Sequence, residues 1–310
     1  HTGDLIICGG NVVFHSSYWT YLRTAGNLVI EPCSGSFTAA QSWAGTDVSM
    51  LAKSARFGRV GNTANITTSV ALSLTGDLEV IGGAVTYNGS GVTSTGSGSD
   101  VIISATGAYV GPAVFSAGGK VSITAATYDG TGALTSAGAD GISVTTTGGD
   151  LDTGANMTAN TVATAPITLK STGNILLSNN LTAAGGPITL WSDSDEVSAG
   201  GILTTAGSNI TSNGGAVTLS GGSDVTTGYA KATTLITSAS SGYAGVKVLG
   251  KITSGGGNIN LRGRDNAGIG LSNYHNAGVE FEKTTAITTT SGNIVVSGVL
   301  DGASTSTGKH

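Results

Sequence analysis

Apolar and polar positions along this chain alternate with a period of two in short bursts, each introduced by glycine or another small turn residue. The bursts run GKVSIT from 119, DGISVT from 140, APITLK from 165, GPITLW from 186, GAVTLS from 215, GNINLR from 257 and GNIVVS from 292. Within them Val121 and Ile123, Ile142 and Val144, Ile167 and Leu169, Ile188 and Leu190, Val217 and Leu219, and Ile259 and Leu261 are separated by Ser, Thr or Asn. Such alternation predicts strands with one buried face. The preceding Gly-Gly, Gly-Pro, Gly-Asn or Ala-Asp predicts a sharp corner, because glycine and asparagine tolerate the backbone angles that a tight turn requires. Only MLAKSARFG (50–58) carries any helical pattern.

The bursts follow one another at steps of 21, 25, 21, 29, 42 and 35 residues. A repeat of about 20 to 30 residues predicts a solenoid in which each burst is one coil, with the step of 42 read as two coils and that of 35 as one or two with an inserted loop. A lone coil cannot bury its apolar face. Coils stacked ~4.8 Å apart place Ile on Ile and Val on Leu in continuous rows. The expected fold is all-β, a right-handed parallel β-helix (β-solenoid) of about 12 to 15 coils, some 60 to 70 Å long. Exposed sheet edges at its two ends would need covering, so the expected partners are neighbouring coils of a longer parent chain or an end-to-end homopolymer.

Composition sharpens this picture. Among 310 residues there are 51 Gly and only 4 Pro, with 39% hydrophobic, 5% aromatic and 10% charged, which suits a thin core of aliphatic rows and argues against disorder. A net charge of −5 without basic runs provides no field for nucleic acid or anionic lipid. No window reaches the ~18 apolar residues of a membrane span, and the start at His1 without a signal-peptide core reads as a mature chain or an excerpt. Residues 1–60 hold seven of the sixteen aromatics and four of the thirteen basic residues, so they are read as aromatic-richer leading coils before a repeat region at 61–310.

Two cysteines lie in that leading part. GDLIICGGNVVF (3–14) aligns with GNLVIEPCSGSF (26–37) at an offset of 23, matching Leu5 to Leu28 and Ile7 to Ile30. Cys33 then falls opposite Gly10, a diagonal of ~8 Å from Cys8, too long for a bridge unless Pro32 bends the chain. Both a Cys8–Cys33 disulfide and two buried thiols remain open on this reading.

The runs GNTANITTSVALSLTGDLEVIGGAVTYNG (61–89), GPITLWSDSD (186–195), GGAVTLSGGSD (214–224), GGGNINLRGRDNAGIGL (255–271) and TTSGNIVVSGV (289–299) resemble the repeat region of very large bacterial surface proteins related to the filamentous haemagglutinins. That resemblance implies a right-handed parallel β-helix, export to the cell surface, and a role in adhesion, aggregation, filament formation or biofilm. The NPN motifs of the family's secretion domain are missing from these residues, so the chain reads as shaft.

Candidate chemistry is sparse. Asp193, Asp195 and Glu196 follow Trp191, and alternation puts both aspartates on one side of an extended segment, where they could serve a carbohydrate or calcium site. Read more plainly, they form a solvated turn. Arg262, Arg264 and Asp265, with His275 beyond, could grip an acidic sugar, or form an exposed loop ion pair. Trp19, Trp43 and Trp191 are candidate glycan or partner contacts. His15 has no acid or cysteine at ligand spacing, and GGSDVTTG (221–228) reads as a corner rather than a phosphate loop. The threonine runs at 144–149 and 287–292 raise an ice-binding surface, but do not recur at equal spacing. No metal, cofactor or catalytic nucleophile is expected. The preferred reading is a non-enzymatic adhesive shaft, with a polysaccharide lyase or hydrolase on the same fold as the alternative.

Overall fold

The computed structural model describes residues 2–14, 20–45, 47–234, 243–266 and 277–300. Its elements are strands throughout, paired in parallel in open sheets: a parallel β-solenoid. Each regular coil contributes one strand to each of three faces, and their inward residues meet in a narrow core. The chain divides into two compact units, 1–144 with 154–162, and 145–153 with 163–310. The strand Ile142–Thr146 straddles that division, which does not coincide with residue 60.

In the first unit the long face stacks Leu5–Cys8, Asn27–Glu31, Ser54–Phe57, Leu78–Gly82, Val101–Ala105 and Val121–Ala125. Leu5 pairs with Leu28 and Ile7 with Ile30, the register predicted from the offset of 23. One inward row then runs Leu28, Ala55, Leu78, Val101, Val121, and the next Ile30, Phe57, Val80, Ile103, Ile123. The second unit repeats the arrangement with Ile167, Ile188, Val217, Ile259 and Ile294, and beside them Leu169, Leu190, Leu219, Leu261 and Val296. Every one of these up to Leu261 is buried, so the predicted inside and outside of the strands hold. The stretch at 50–58 is not helical: it ends the strand Val48–Leu51 and contains Ser54–Phe57, since the corner at 52–53 and the aliphatic rows outweigh a weak helical pattern.

Twelve long-face strands form among the described residues, at the lower end of the expected range. The longest step, from Gly215 to Gly257, is one coil, not two. Val217 pairs directly with Ile259, and the surplus begins as an excursion after Gly221, whose described part runs to 234 and adds the short strand Ala230–Lys231 against Gly263 and Arg264. The last step, from Gly257 to Gly292, is likewise one coil, because Ile259 pairs with Ile294. Period alone could not distinguish an added coil from an added loop.

The glycines that precede the strands mark a column of close backbone packing. Gly186, Gly215, Gly257 and Gly292 sit one above another, and a Cβ on Gly215 would lie 2.0 Å from the carbonyl oxygen of Gly186. At Gly257 and Gly292 the corresponding oxygen would be 2.1 and 2.2 Å away. Backbone packs on backbone there, and no side chain fits. Next to these columns stand short polar side chains that bind the coil above or the neighbouring corner. Asp4, Asp77 and Asp100 each accept from the backbone N–H of the residue one coil on, Asn27, Asp100 and Lys120, at 2.8 to 2.9 Å. In the second unit Asp150, Asn180 and Asn258 do the same for Asn174, Asn209 and Asn293.

Cys8 and Cys33 form a disulfide with Cα atoms 5.0 Å apart. The long diagonal expected between them is corrected because both chains leave their strands at this point: Glu31 ends one strand, and its carbonyl accepts from Gly9 just past the other. Nearby, Trp43 packs edge-on against Phe57 and Phe37 at 5.3 and 6.4 Å.

Two measurements check this architecture. Ile188→Asp places an unpaired charge in the aliphatic core and should cost several kcal/mol in urea unfolding, whereas Thr189→Asp, on the outer side, should cost less than about 1 kcal/mol. Gly215→Ala should destabilise the stack by about 1 to 3 kcal/mol through overpacking, while Gly207→Ala, with nothing within 4 Å of the added carbon, should be near neutral in the same melts.

Candidate functional site

Most of the sequence-derived candidates converge in the second unit, where the longest coil opens. Trp191 points outward from the strand Ile188–Ser192, next to Lys170 of the preceding coil. The Lys170 ammonium sits 4.0 Å from the Trp191 ring centre, and the indole N–H donates to the Gly222 carbonyl at 2.6 Å. One ring face therefore already carries a cation, and the ring edge fastens the start of the excursion. Such a cation contributes about 0.5 to 2 kcal/mol, depending on desolvation.

The excursion begins with GGSDVTTG, which is a capped turn outside the regular coil, not a corner of it. Asp224 organises the turn by accepting from the Thr226 N–H and hydroxyl at 2.8 and 2.7 Å and from the Thr227 hydroxyl at 2.9 Å, which holds its carboxyl below the ordinary carboxylate range. Tyr229 follows, and the guanidinium carbons of Arg262 and Arg264 lie 5.5 and 5.6 Å from its ring centre. Arg262 also donates to the Thr227 carbonyl at 3.3 Å. Both arginines belong to the strand Ile259–Arg264, so the exposed loop pair expected for Arg264 and Asp265 is corrected: alternation carries Arg264 onto the strand's outer side, and Asp265 is buried.

The acidic group is also rearranged. Asp193 and Asp195 do not share a side, because the chain stops being extended at Ser192: Asp193 and Glu196 adopt left-handed backbone angles, φ 48° and 56°, in a turn closed by the Glu196 N–H to Asp193 carbonyl bond of 3.1 Å. Asp193 is 4% exposed, whereas Asp195 and Glu196 face solvent. Burial pushes the Asp193 carboxyl up to about 7, Asp195 and Glu196 push the same way, and Lys231 and Arg264 oppose them.

Trp43 leaves the candidate list. It is 1% exposed, with its indole N–H donating to the Val12 carbonyl at 3.0 Å, so no glycan reaches it. Trp19, His15 and His275 lie outside the described residues. No group of three or more His, Cys, Asp or Glu among the described residues could hold a metal ion, and no helix is long and apolar enough to cross a membrane.

Two features escaped the sequence. One is Asn174, buried at the same corner: its side-chain amide donates to Asp150 at 3.0 Å, while its oxygen accepts from the Gly201 N–H at 3.0 Å and the Thr233 hydroxyl at 2.7 Å. The other is a file of hydroxyls on the third face, Ser73, Thr93, Ser116, Thr135 and Thr158 in the first unit and Thr182, Thr211, Thr253 and Thr288 in the second. All but Thr288 lie outside the threonine runs, and each stands in a different coil. Unequal loops hide their regular spacing from the primary sequence.

Compared with protein-family models, with curated proteins and with solved structures, the chain matches none of them.

Asn174 supplies the site's sharpest energetic test. Asn174→Ala strands two donors, the Gly201 N–H and the Thr233 hydroxyl, and removes one donor from Asp150, and should cost about 2 to 3 kcal/mol in chemical unfolding, whereas Asn180→Ala, at a half-exposed corner, should cost about 1 kcal/mol or less.

Proposed function

We propose that this chain is a structural and adhesive shaft of an extracellular bacterial surface protein, of the kind its repeats resemble, the filamentous haemagglutinin-like adhesins. The observation that carries the reading is the parallel stacking of coils in which nearly every residue type serves the stack: aliphatic rows within, glycine columns at the corners, and hydroxyls or short caps without. The Cys8–Cys33 disulfide supports an oxidising, exported setting. Adhesion, aggregation or filament formation on a cell surface then needs only side chains displayed along a stable scaffold.

The display surface assigned to that role is the outward group Lys170, Trp191, Tyr229, Arg262 and Arg264. It combines aromatic rings with cations, the chemistry that receives a sugar ring bearing a carboxylate. Its partners are accordingly cell-surface glycans, with no turnover of the bound chain.

Glycan-array binding combined with a reducing-sugar assay tests this reading. The expected result is retention on acidic glycans without release of reducing ends, weakened at least tenfold in the Trp191→Ala, Arg262→Ala double variant while its far-ultraviolet spectrum stays unchanged. Release of reducing ends that disappears in Asp193→Ala and Asp195→Ala would replace the shaft by a polysaccharide-active enzyme.

A further inference from the structure

The turn at 193–200 is tied down on both sides through its backbone. The N–H groups of Asp193 and Ser194 donate to the carbonyls of Gly173 and Ser171, at 3.2 and 3.0 Å. From the other side, the Gly200 carbonyl accepts from the N–H of Lys231, which pairs with Arg264 as part of the short strand Ala230–Lys231. The turn thus clasps the coil before it to the excursion after it.

Within this clasp the Asp193 carboxyl has an anomalous setting. Its Oδ1 is buried without any hydrogen-bond partner, in contrast to the capping carboxyls of Asp150 and Asp224, which accept two or three bonds each. The charged and titratable groups around it are Asp195 and Glu196 on its own turn, Lys231 on the short strand and Arg264 at the end of the long strand. Two acids oppose ionisation and two cations favour it. A carboxylate removed from water and given no donor is unfavourable, whereas the neutral acid can occupy the same position at far lower cost.

We propose that Asp193 is a proton-operated latch: as a neutral acid it stays buried and keeps the 193–200 turn closed on the strand Ala230–Lys231, and on losing its proton it swings to water and releases both. The left-handed backbone at Asp193 and Glu196 suits such a device, since non-glycine residues hold that conformation at a cost that opening relieves. The latch is independent of any adhesive role, and its test reads the turn alone.

The direction of the pH effect follows from the two protonation equilibria. In the closed turn the carboxyl titrates at about 7, and in the open turn it reverts to the ordinary value of about 4. Below about pH 4 both forms hold the proton and closure is at its strongest. Between about 4 and 7 opening releases one proton, so the opening equilibrium rises about tenfold per pH unit, up to about 1,000-fold in all. Above 7 both forms are ionised and the dependence disappears.

Amide hydrogen exchange across pH 4 to 8, expressed as protection factors corrected for intrinsic rates, measures this opening. Protection of the Ser194 and Lys231 amides should fall by up to about 1,000-fold between pH 4 and 7 and then level off, while Leu190 stays protected throughout. Asp193→Asn, which keeps the shape without the charge, should abolish the fall. A flat profile for Ser194 and Lys231 in the unsubstituted protein, or an equal fall in Asp193→Asn, would overturn the latch. Should the asparagine variant fail to fold, the carboxyl carbon resonance of Asp193 in the unsubstituted protein decides: a midpoint near 7 supports the latch, and one near 4 overturns it.

Discussion

Parallel backbone pairing between successive coils fixes their separation at ~4.8 Å, and the rest of the molecule is arranged to respect that distance. At this spacing each side chain meets its counterpart one coil away, so like stacks on like. Ile167, Ile188, Val217 and Ile259 form a row because any polar member would be buried with no partner of its own. The same spacing explains the corners, where Gly186, Gly215 and Gly257 approach one another too closely for any side chain.

Capping follows from the same constraint. A corner breaks the sheet ladder for a residue or two, and its backbone N–H groups need acceptors at coil spacing. Asp and Asn are short enough to reach the next coil from the corner, as Asp77 reaches Asp100 and Asp100 reaches Lys120. Buried serines do the inward part: Ser192 bonds the Gly200 carbonyl at 2.8 Å, and Ser254 the Gly257 carbonyl at 2.5 Å. Against this background of satisfied groups, Asp193 stands out as an aspartate whose oxygen is buried without a donor. Its neighbourhood, with Trp191, Tyr229, Arg262 and Arg264, is where the regular coil gives way to its longest excursion.

Legibility in the sequence tracked how local the determining physics was. The strands and their inward faces could be read from period-two alternation, because one buried face leaves its mark on consecutive residues; Leu5 over Leu28 and Ile188 over Val217 needed nothing more. Non-local facts were harder. Val217 to Ile259 looked like two coils, since a loop and a coil consume similar lengths of chain. The long diagonal expected for Cys8 and Cys33 presumed straight strands, and both chains bend there. Asp193 and Asp195 were expected on one side by extending the alternation past Ser192, where a left-handed residue ends it. Trp43 was a candidate contact by residue type and is a core residue by position. The hydroxyl file from Ser73 to Thr158 was invisible because its members are separated by unequal loops.

Register across the long excursion tests the central claim most directly, because it asks whether backbone pairing closes a single coil over the whole stretch from Val217 to Ile259. Thr218 and Asn260 face each other on the outer side of adjacent strands, and Thr189 lies one coil further away. Oxidative cross-linking of Thr218→Cys with Asn260→Cys should go to completion, since adjacent parallel positions fall within the Cα range of a disulfide, while Thr189→Cys with Asn260→Cys, at about twice the spacing, should not react. Failure of the first pair together with reaction of the second, or of neither, would contradict the stacked-coil account.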